Sequence, residues 1–588
     1  MCGISGWAFE IGCEPPATAL AEMSRLIAHR GPDDTGTYCD AAAGIAIAHR
    51  RLSIIDLSPS SHQPMEDTER GVVLAYNGEL YNYRDLRREL QGLGHTFRSE
   101  GDTEVVLRSF IEWGPACLSR FAGMFALVFW DSRSATLHLA RDAMGMKPLY
   151  YAPQARGVAF ASEVKAFAAL PGFSPQVDAG ALPQYLEFGY VFETGQTILA
   201  GVRKLEPGRR LEIRGGHVVA EETWFEPPAA DPRDTRGEEE RVQELAALIK
   251  QVVGEHLIAD VPLGLLLSGG LDSSLIAALA RRQEPLLTLS MGFEGSDVDE
   301  RANAREVSQF IGSRHVEILI SAAEVRREAM EGAWVFDDLF ADWGTMSTRL
   351  LYRRCREQGV KVVLVGEGAD ELFGGYDIFR APPQLGLWQQ FRTYQKYSGR
   401  RHGTLFGPFR RVLGEYLEAS HGNTFDAIRL FEARRQLPNQ YVMKVDKASM
   451  AESVEARAPY LDRRVAELAF RTPREWLLRG NENKYLLRAL ARREGLLPAT
   501  ASGRAKFGAA LATSWMDSDA GFRAFARERV LDGGWSSRLG LRDAMTRYFD
   551  KGEIGFAFPR SISLFRNLAW RLLLLELWSQ YYLNARPT

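Results

Sequence analysis

Up to residue 225, short apolar runs alternate with turn signals: Ala43–His49, Gly71–Tyr76, Met124–Asp131, Thr136–Arg141 and Gly157–Ser162. Runs of this length, bounded by Gly, Asn, Asp and Ser, predict β-strands. Between them, Ala17–Ile27 and Tyr83–Gly92 space their apolar residues as helices do. Stacked sheets with flanking helices are expected. A Pro-rich polar stretch from Glu226 to Asp234 then breaks the pattern and reads as a linker, and the acidic run Glu238–Glu240 follows. Beyond it the rhythm changes. Leu263–Leu267, Leu286–Met291, Val316–Ile320 and Val362–Val365 read as buried strands, and Ser273–Arg282 and Arg301–Ile311 as intervening helices. Strands alternating with helices predict a parallel sheet covered on both faces. After Tyr376 the chain reads as mainly helical.

The chain has 588 residues, too many for one hydrophobic core, so two domains are expected. The proposed boundaries are 2–225 and 237–588. Apolar residues make up 46%, charged residues 25%, and the net charge is −3. This balance argues against nucleic acid and membrane partners. The basic, aromatic stretch Arg392–Arg411 is read as a solvated helical insertion rather than an RNA-binding face. Five scattered cysteines without a CxxC pair suggest neither a zinc site nor a disulfide framework and fit a cytoplasmic location. No secretory signal is visible at the N-terminus. Ser563–Leu583 is rich in Leu, Trp and Tyr, but it also carries Arg566, Arg571 and Glu576. Charges cost too much inside a bilayer, so a buried C-terminal helix is expected.

Three segments carry candidate chemistry. Cys2 becomes the first residue if Met1 is removed, and then holds a thiol nucleophile beside its own α-amine, a base with an ordinary pKa of ~7.7–8.0. The strand Leu263–Leu267 runs into Ser268-Gly269-Gly270-Leu271-Asp272-Ser273-Ser274 at a helix start. Glycines there let the backbone approach a ligand closely, and free N–H groups at a helix N-terminus bind phosphate. Asp272 is placed to hold magnesium on a polyphosphate. No lysine follows, so this is not a Walker loop. A second loop, Gly366-Glu367-Gly368-Ala369-Asp370-Glu371, follows another buried strand. Loops at the carboxyl ends of parallel strands meet at a ligand crevice. Asp370 is expected as a second magnesium ligand, and Glu367 as a general base or orienting group.

With these motifs in hand, the chain resembles the glutamine-dependent asparagine synthetase family over most of its length. In the first half Met1–Ile4, His29–Asp33, His49–Ile54, Asn77–Glu79, Gly101–Glu104, Arg141-Asp142 and Lys147–Tyr150 are similar to a class II glutamine amidotransferase domain. In the second, Ser268–Ser274, Gly366–Tyr376, Lys444–Met450 and Glu455–Asp462 are similar to a PP-loop ATP pyrophosphatase domain. The resemblance implies an α/β two-domain fold: an αββα Ntn-hydrolase sandwich, then a parallel-sheet PP-loop domain with a helical C-terminal part.

It also implies that Cys2 attacks the glutamine side-chain amide, with Asn77 and Gly78 as oxyanion hole. Arg51 and Asp102 would hold the substrate's carboxylate and amine, with Glu79 as a further contact. ATP would lie against Leu267, Ser268, Gly269, Gly270, Asp272, Ser273, Ser274, Gly366, Glu367 and Gly368, with Met291 near adenine and Lys506 near the reacting phosphate. An acyl-adenylate then takes up ammonia that has crossed an internal channel. The implied cofactors are ATP and Mg2+, and the partners are glutamine, ATP and a carboxylate acceptor, aspartate first, with a homodimer left open. Arg504–Gly508 is about two residues shorter than the family's usual spacing, Val365 replaces a common serine, and Ala341–Ser347 departs from the usual form. These departures leave other acceptors open: a sugar acid, a peptide or a secondary metabolite.

Overall fold

The computed structural model describes residues 2–230, 234–294, 299–342, 344–380, 386–398, 405–503, 516, 519–551 and 559–583. Twelve strands lie in the first part of the described chain: β1 (Gly3–Phe9), β2 (Asp34–Asp40), β3 (Ile45–Arg51), β4 (Met65–Asp67), β5 (Val72–Leu80), β6 (Gly123–Asp131), β7 (Thr136–Arg141), β8 (Tyr150–Gln154), β9 (Gly157–Ala161), β10 (Arg203–Lys204), β11 (Arg209–Arg214) and β12 (His217–Thr223). They form two six-stranded sheets, ordered β10-β8-β9-β1-β3-β2 and β12-β11-β7-β6-β5-β4. Ile4, Ile45, Ile47, Ala75, Val128, Leu139 and Phe160 fill the space between the sheets. Helix Ala17–Leu26 covers the outside of the first sheet, and helices Tyr83–Gly92 and Asp102–Trp113 cover the second. The central strands of each sheet are covered on both faces, so β1 and the first half of β5 carry few polar residues, whereas the edge strands β2 and β12 are largely exposed.

The second part holds a five-stranded parallel sheet ordered β15-β14-β13-β16-β17, built from β13 (Leu263–Leu266), β14 (Leu287–Phe293), β15 (Arg314–Ile320), β16 (Val362–Leu364) and β17 (Glu455–Arg457). The expected fold class holds in both halves. Central β13 pairs with β14 and β16 on either side, so the loops leaving β13 and β16 emerge side by side. Helix Pro559–Tyr582 packs Trp570 and Trp578 out of solvent. Among the described residues no helix is long and apolar enough to cross a membrane. Of the basic, aromatic stretch Arg392–Arg411, residues 399–404 lie outside the described residues; the rest falls in the helices Leu387–Ser398 and Phe406–Ala419, where Tyr394 and Phe409 are buried rather than solvated.

The halves meet through buried charge. Arg30, wholly buried, donates to the Cys2 carbonyl oxygen at 3.0 Å, to Glu163 at 2.8 Å and to Asp446 at 2.9 Å. Lys147 of the first half lies 3.8 Å from Asp446 of the second, and Lys204 lies 3.3 Å from Asp338. A buried cation stays charged only where anions and hydrogen bonds replace its water, so this contact admits one arrangement of the halves.

Candidate functional site

Two constellations stand on opposite sides of that interface. The first is at the start of β1. Cys2 is buried, and its backbone nitrogen donates to Asn77 Oδ1 at 2.8 Å. Asn77 Nδ2 is buried with no hydrogen-bond partner. An orphaned buried donor beside a nucleophile is costly unless a substrate oxygen takes it. Asn77 and Gly78 lie on β5, opposite Ala126 and Phe125 of β6. A side chain on residue 78 would start 2.2 Å from the Met124 carbonyl oxygen, so the sheet itself demands glycine there. Burial raises the Cys2 thiol pKa; the chain's amino-terminal charge, the Leu52 backbone and Arg51 pull it down.

The other expected glutamine contacts surround this point. Asp102 opens helix Asp102–Trp113 and accepts from the Leu80 backbone at 2.8 Å. Burial pushes its pKa up to about 6. Arg51 donates to the Ser58 carbonyl oxygen at 3.2 Å and to that of Asp56, so its guanidinium also shapes the loop after β3. Glu79 lies 3.3 Å from the buried Arg457 guanidinium. Burial, and then the Glu455 charge, raise its pKa well above the carboxylate range.

The second constellation is at the carboxyl ends of β13 and β16. Gly269 has φ +75°, and a side chain there would run into the Asn303 and Ala304 backbone. Ser268 and Ser273 hydroxyls lie 3.0 Å apart, and the Gly270 backbone donates to Ser268 at 3.2 Å. Ser274 Oγ is buried without a hydrogen-bond partner, a donor available to a ligand. Gly366 touches this loop: a Cβ there would meet the Ser273 nitrogen at 3.1 Å. Gly368, with φ +92°, starts the short helix that carries Asp370. The Leu267 nitrogen donates to the Leu289 carbonyl oxygen at 2.8 Å, so Leu267 continues beside β14, which carries Met291. Burial raises the Glu367 pKa and Lys444 offsets part of that rise. Lys444 itself donates to Asp342 at 3.0 Å.

Asp272 and Asp370 do converge, and a residue not expected from the sequence joins them. Lys484 Nζ lies 2.5 Å from Asp272 and 2.8 Å from Asp370. It has φ +55°, rare for a residue with a side chain, at the start of helix Tyr485–Arg493. Burial works against its charge, but the two carboxylates outweigh it and raise its pKa. The signal was present: Lys484 is the one lysine between Lys447 and Lys506. Lys506, expected at the phosphate, lies outside the described residues. Among the described residues no group of three or more His, Cys, Asp or Glu is placed to hold a metal. Two hard carboxylates suit magnesium only when phosphate oxygens complete the shell.

A buried cysteine opening a two-sheet sandwich, joined to a parallel sheet with two Gly-rich loops at its strand ends, is the arrangement that a two-site amide ligase would need. Family comparison agrees. A glutamine amidotransferase domain matches residues 1–225, and asparagine synthase matches residues 244–580. The chain is 35% identical to a putative glutamine-hydrolyzing asparagine synthetase of Mycobacterium tuberculosis, over 86% of this chain and 87% of that one. It is 33% identical to glutamine-hydrolyzing asparagine synthetase 1 of Bacillus subtilis, covering 83% of each. Amidase chry2 of Gibberella zeae is 33% identical over 65% of this chain and 60% of its own. The chain belongs to the asparagine synthase family and is a carbon–nitrogen ligase of the glutamine-hydrolysing type.

Two outcomes follow from this geometry. Lys484→Met should leave glutamine hydrolysis intact and lower ATP-dependent synthesis by about 10²-fold or more, as loss of one preorganised charge does elsewhere; equal synthesis rates would remove Lys484 from the site. If Asp102 takes the amine of glutamine, as the resemblance implies, it does so as the ionised carboxylate. The kcat/KM for glutamine hydrolysis should therefore fall as pH drops through about 6, with the midpoint absent in Asp102→Asn. A flat profile down to pH 5 would contradict that role.

Proposed function

We propose that the chain converts aspartate, ATP and glutamine to asparagine, AMP, pyrophosphate and glutamate, through catalytic units spanning residues 2–225 and 237–588. The observation that carries this reading is Lys484 held between Asp272 and Asp370 where two phosphate-binding loops meet, across one buried interface from Cys2 and Asn77.

In the first unit the Cys2 thiol gives its proton to its own α-amine and attacks the glutamine amide carbon. Asn77 Nδ2 and the Gly78 N–H receive the oxyanion, Arg51 takes the substrate carboxylate, Asp102 takes its amine, and Glu79 is a further contact. The C–N bond breaks as the α-ammonium returns the proton to the leaving nitrogen. Water then cleaves the thioester to glutamate. In the second unit the acceptor carboxylate attacks the α-phosphorus of ATP and displaces pyrophosphate. Ser268, Ser273, Ser274 and the N–H groups from Gly269 to Gly270 hold phosphate oxygens, and Lys484 neutralises charge that develops on them. Magnesium, held by Asp272 and Asp370 together with those oxygens, would supply further positive charge. Ammonia that has crossed the interface unprotonated attacks the acyl-adenylate. Glu367, its pKa raised by burial, is placed to receive a proton from that nitrogen as AMP leaves.

Aspartate leads because the curated relatives over most of the chain are named asparagine synthetases. The amidase-named relative keeps a second reading in view, the same chemistry on another carboxylate. Pyrophosphate release with ATP, magnesium and ammonium, assayed with and without aspartate, separates them: aspartate-dependent release with asparagine formed is expected. Release unaffected by aspartate, from protein that still hydrolyses glutamine, would transfer the reading to another acid. Cys2→Ala should cut glutamine use by about 10³-fold or more and spare ammonium use. Loss of both in a folded protein would contradict two separable sites.

A further inference from the structure

The proposed chemistry gives no task to the segment Glu455–Asp462, although it runs directly beneath the second site. The segment leaves the parallel sheet as β17 and then makes one turn of 3-10 helix, Pro459–Leu461, in which the Leu461 nitrogen donates to the Ala458 carbonyl oxygen at 2.9 Å. All three residues of the turn are buried. The turn is fixed at both ends. On one side Arg457 donates to the His256 and Ile258 carbonyl oxygens, each at 2.7 Å. On the other, Asp462 caps the next helix by accepting from the Arg464 nitrogen at 2.9 Å.

From this fixed turn, Tyr460 reaches both arms of the site. Its side chain is wholly buried, and its hydroxyl donates to the Asp272 carbonyl oxygen at 3.1 Å. Asp272 is the second residue of helix Leu271–Arg281, so the bond holds the first turn of that helix. The ring of Tyr460 stands edge-on to Phe373, with centroids 6.1 Å apart and planes at 70°. Phe373 ends the short helix Ala369–Phe373, which carries Asp370. The neighbouring Leu461 packs so closely on Gly368 that a side chain there would run into it. One turn therefore bears on the Asp272 loop through a hydroxyl and on the Asp370 loop through a ring and a leucine. The two carboxylates that it underlies converge on Lys484, at 2.5 and 2.8 Å. A short side chain such as aspartate can place its oxygens only as well as its own backbone is placed.

We propose that Tyr460 is a positioning residue for adenylate formation: its hydroxyl fixes the Asp272 backbone so that the Asp272 and Asp370 carboxylates meet at one point. Tyr460 acts through Asp272 and touches no substrate. Phenylalanine at this position would keep the turn and the contact with Phe373, but would leave the first turn of helix Leu271–Arg281 without this tether. The inference rests on the reading of the second site as one that uses ATP with magnesium.

The test is Tyr460→Phe in the full-length enzyme. The kcat/KM for glutamine hydrolysis, which depends on the other half, should keep the parent value and so reports correct folding. The magnesium concentration for half-maximal pyrophosphate release, at saturating ATP, aspartate and glutamine, should rise about threefold to tenfold, the range expected for loss of one neutral hydrogen bond. Calorimetric titration with ATP and magnesium, without aspartate, should show a Kd weakened by a similar factor. The KM for aspartate should stay at the parent value, because Tyr460 is tied to the Asp272 backbone and not to the acceptor. A magnesium requirement and an ATP Kd equal to the parent's would overturn the proposal. A rise in the aspartate KM as large as the rise in the magnesium requirement would also overturn it, because it would reduce Tyr460 to general packing. A parent enzyme that neither binds ATP nor releases pyrophosphate would contradict the ligase reading instead, and the inference with it.

Discussion

The burial of Arg457 is the constraint on which both sites depend. Its guanidinium pairs with Glu455 at 2.5 Å and Glu79 at 3.3 Å, and it donates to the His256 and Ile258 carbonyl oxygens, each at 2.7 Å. Its own carbonyl oxygen accepts from Val365 at 2.9 Å, the residue that leads into Gly366-Glu367-Gly368. One residue therefore ties Glu79, two positions after Asn77, to the backbone that leads into the Gly366–Glu371 loop. A wholly buried arginine cannot lose its proton, so each partner is obligatory. Removing one partner leaves an uncompensated buried charge, which elsewhere costs about 3–5 kcal/mol.

Arg30 repeats this logic on the other side of Cys2, with its three partners drawn from both halves. Together the two arginines fix where the nucleophile's strand stands relative to β16 and β17. The chemistry is correspondingly divided. Backbone geometry, through Gly78, Gly269 and Gly368, shapes the pockets. Buried ion pairs set the charges within them: Lys484 stays protonated because two aspartates surround it. Neither site is a single loop on a finished scaffold. Each is assembled from strands distant in sequence, and the contact that assembles one also assembles the other.

Much of this was legible in the sequence. The Ser268–Ser274 and Gly366–Glu371 loops announce themselves through glycine and acidic residues after short buried runs, and adjacent parallel strands bring them together as expected. Strand β2 was not legible, because its residues alternate between half-buried and exposed and carry little apolar signal. Glu432–Tyr441, wound as a π-helix around Pro438, has no periodicity of the kind that apolar spacing reveals. Lys484 escaped because its importance comes from a left-handed backbone turn and from two carboxylates more than a hundred residues away. Nor does composition show that Arg51 donates to the carbonyl oxygens of the loop that follows its strand. Local chemistry can be read along the chain; the pairing of buried charges across the halves can be read only once both are folded.

The central claim is that nitrogen released at Cys2 reaches the second site without leaving the protein. It is tested most directly by feeding amide-15N glutamine, ATP and aspartate in the presence of an equal concentration of unlabelled ammonium, and measuring 15N in the new amide by mass spectrometry. The account predicts a product that keeps nearly all of the label. A product diluted to the isotopic composition of the bulk ammonium would contradict it.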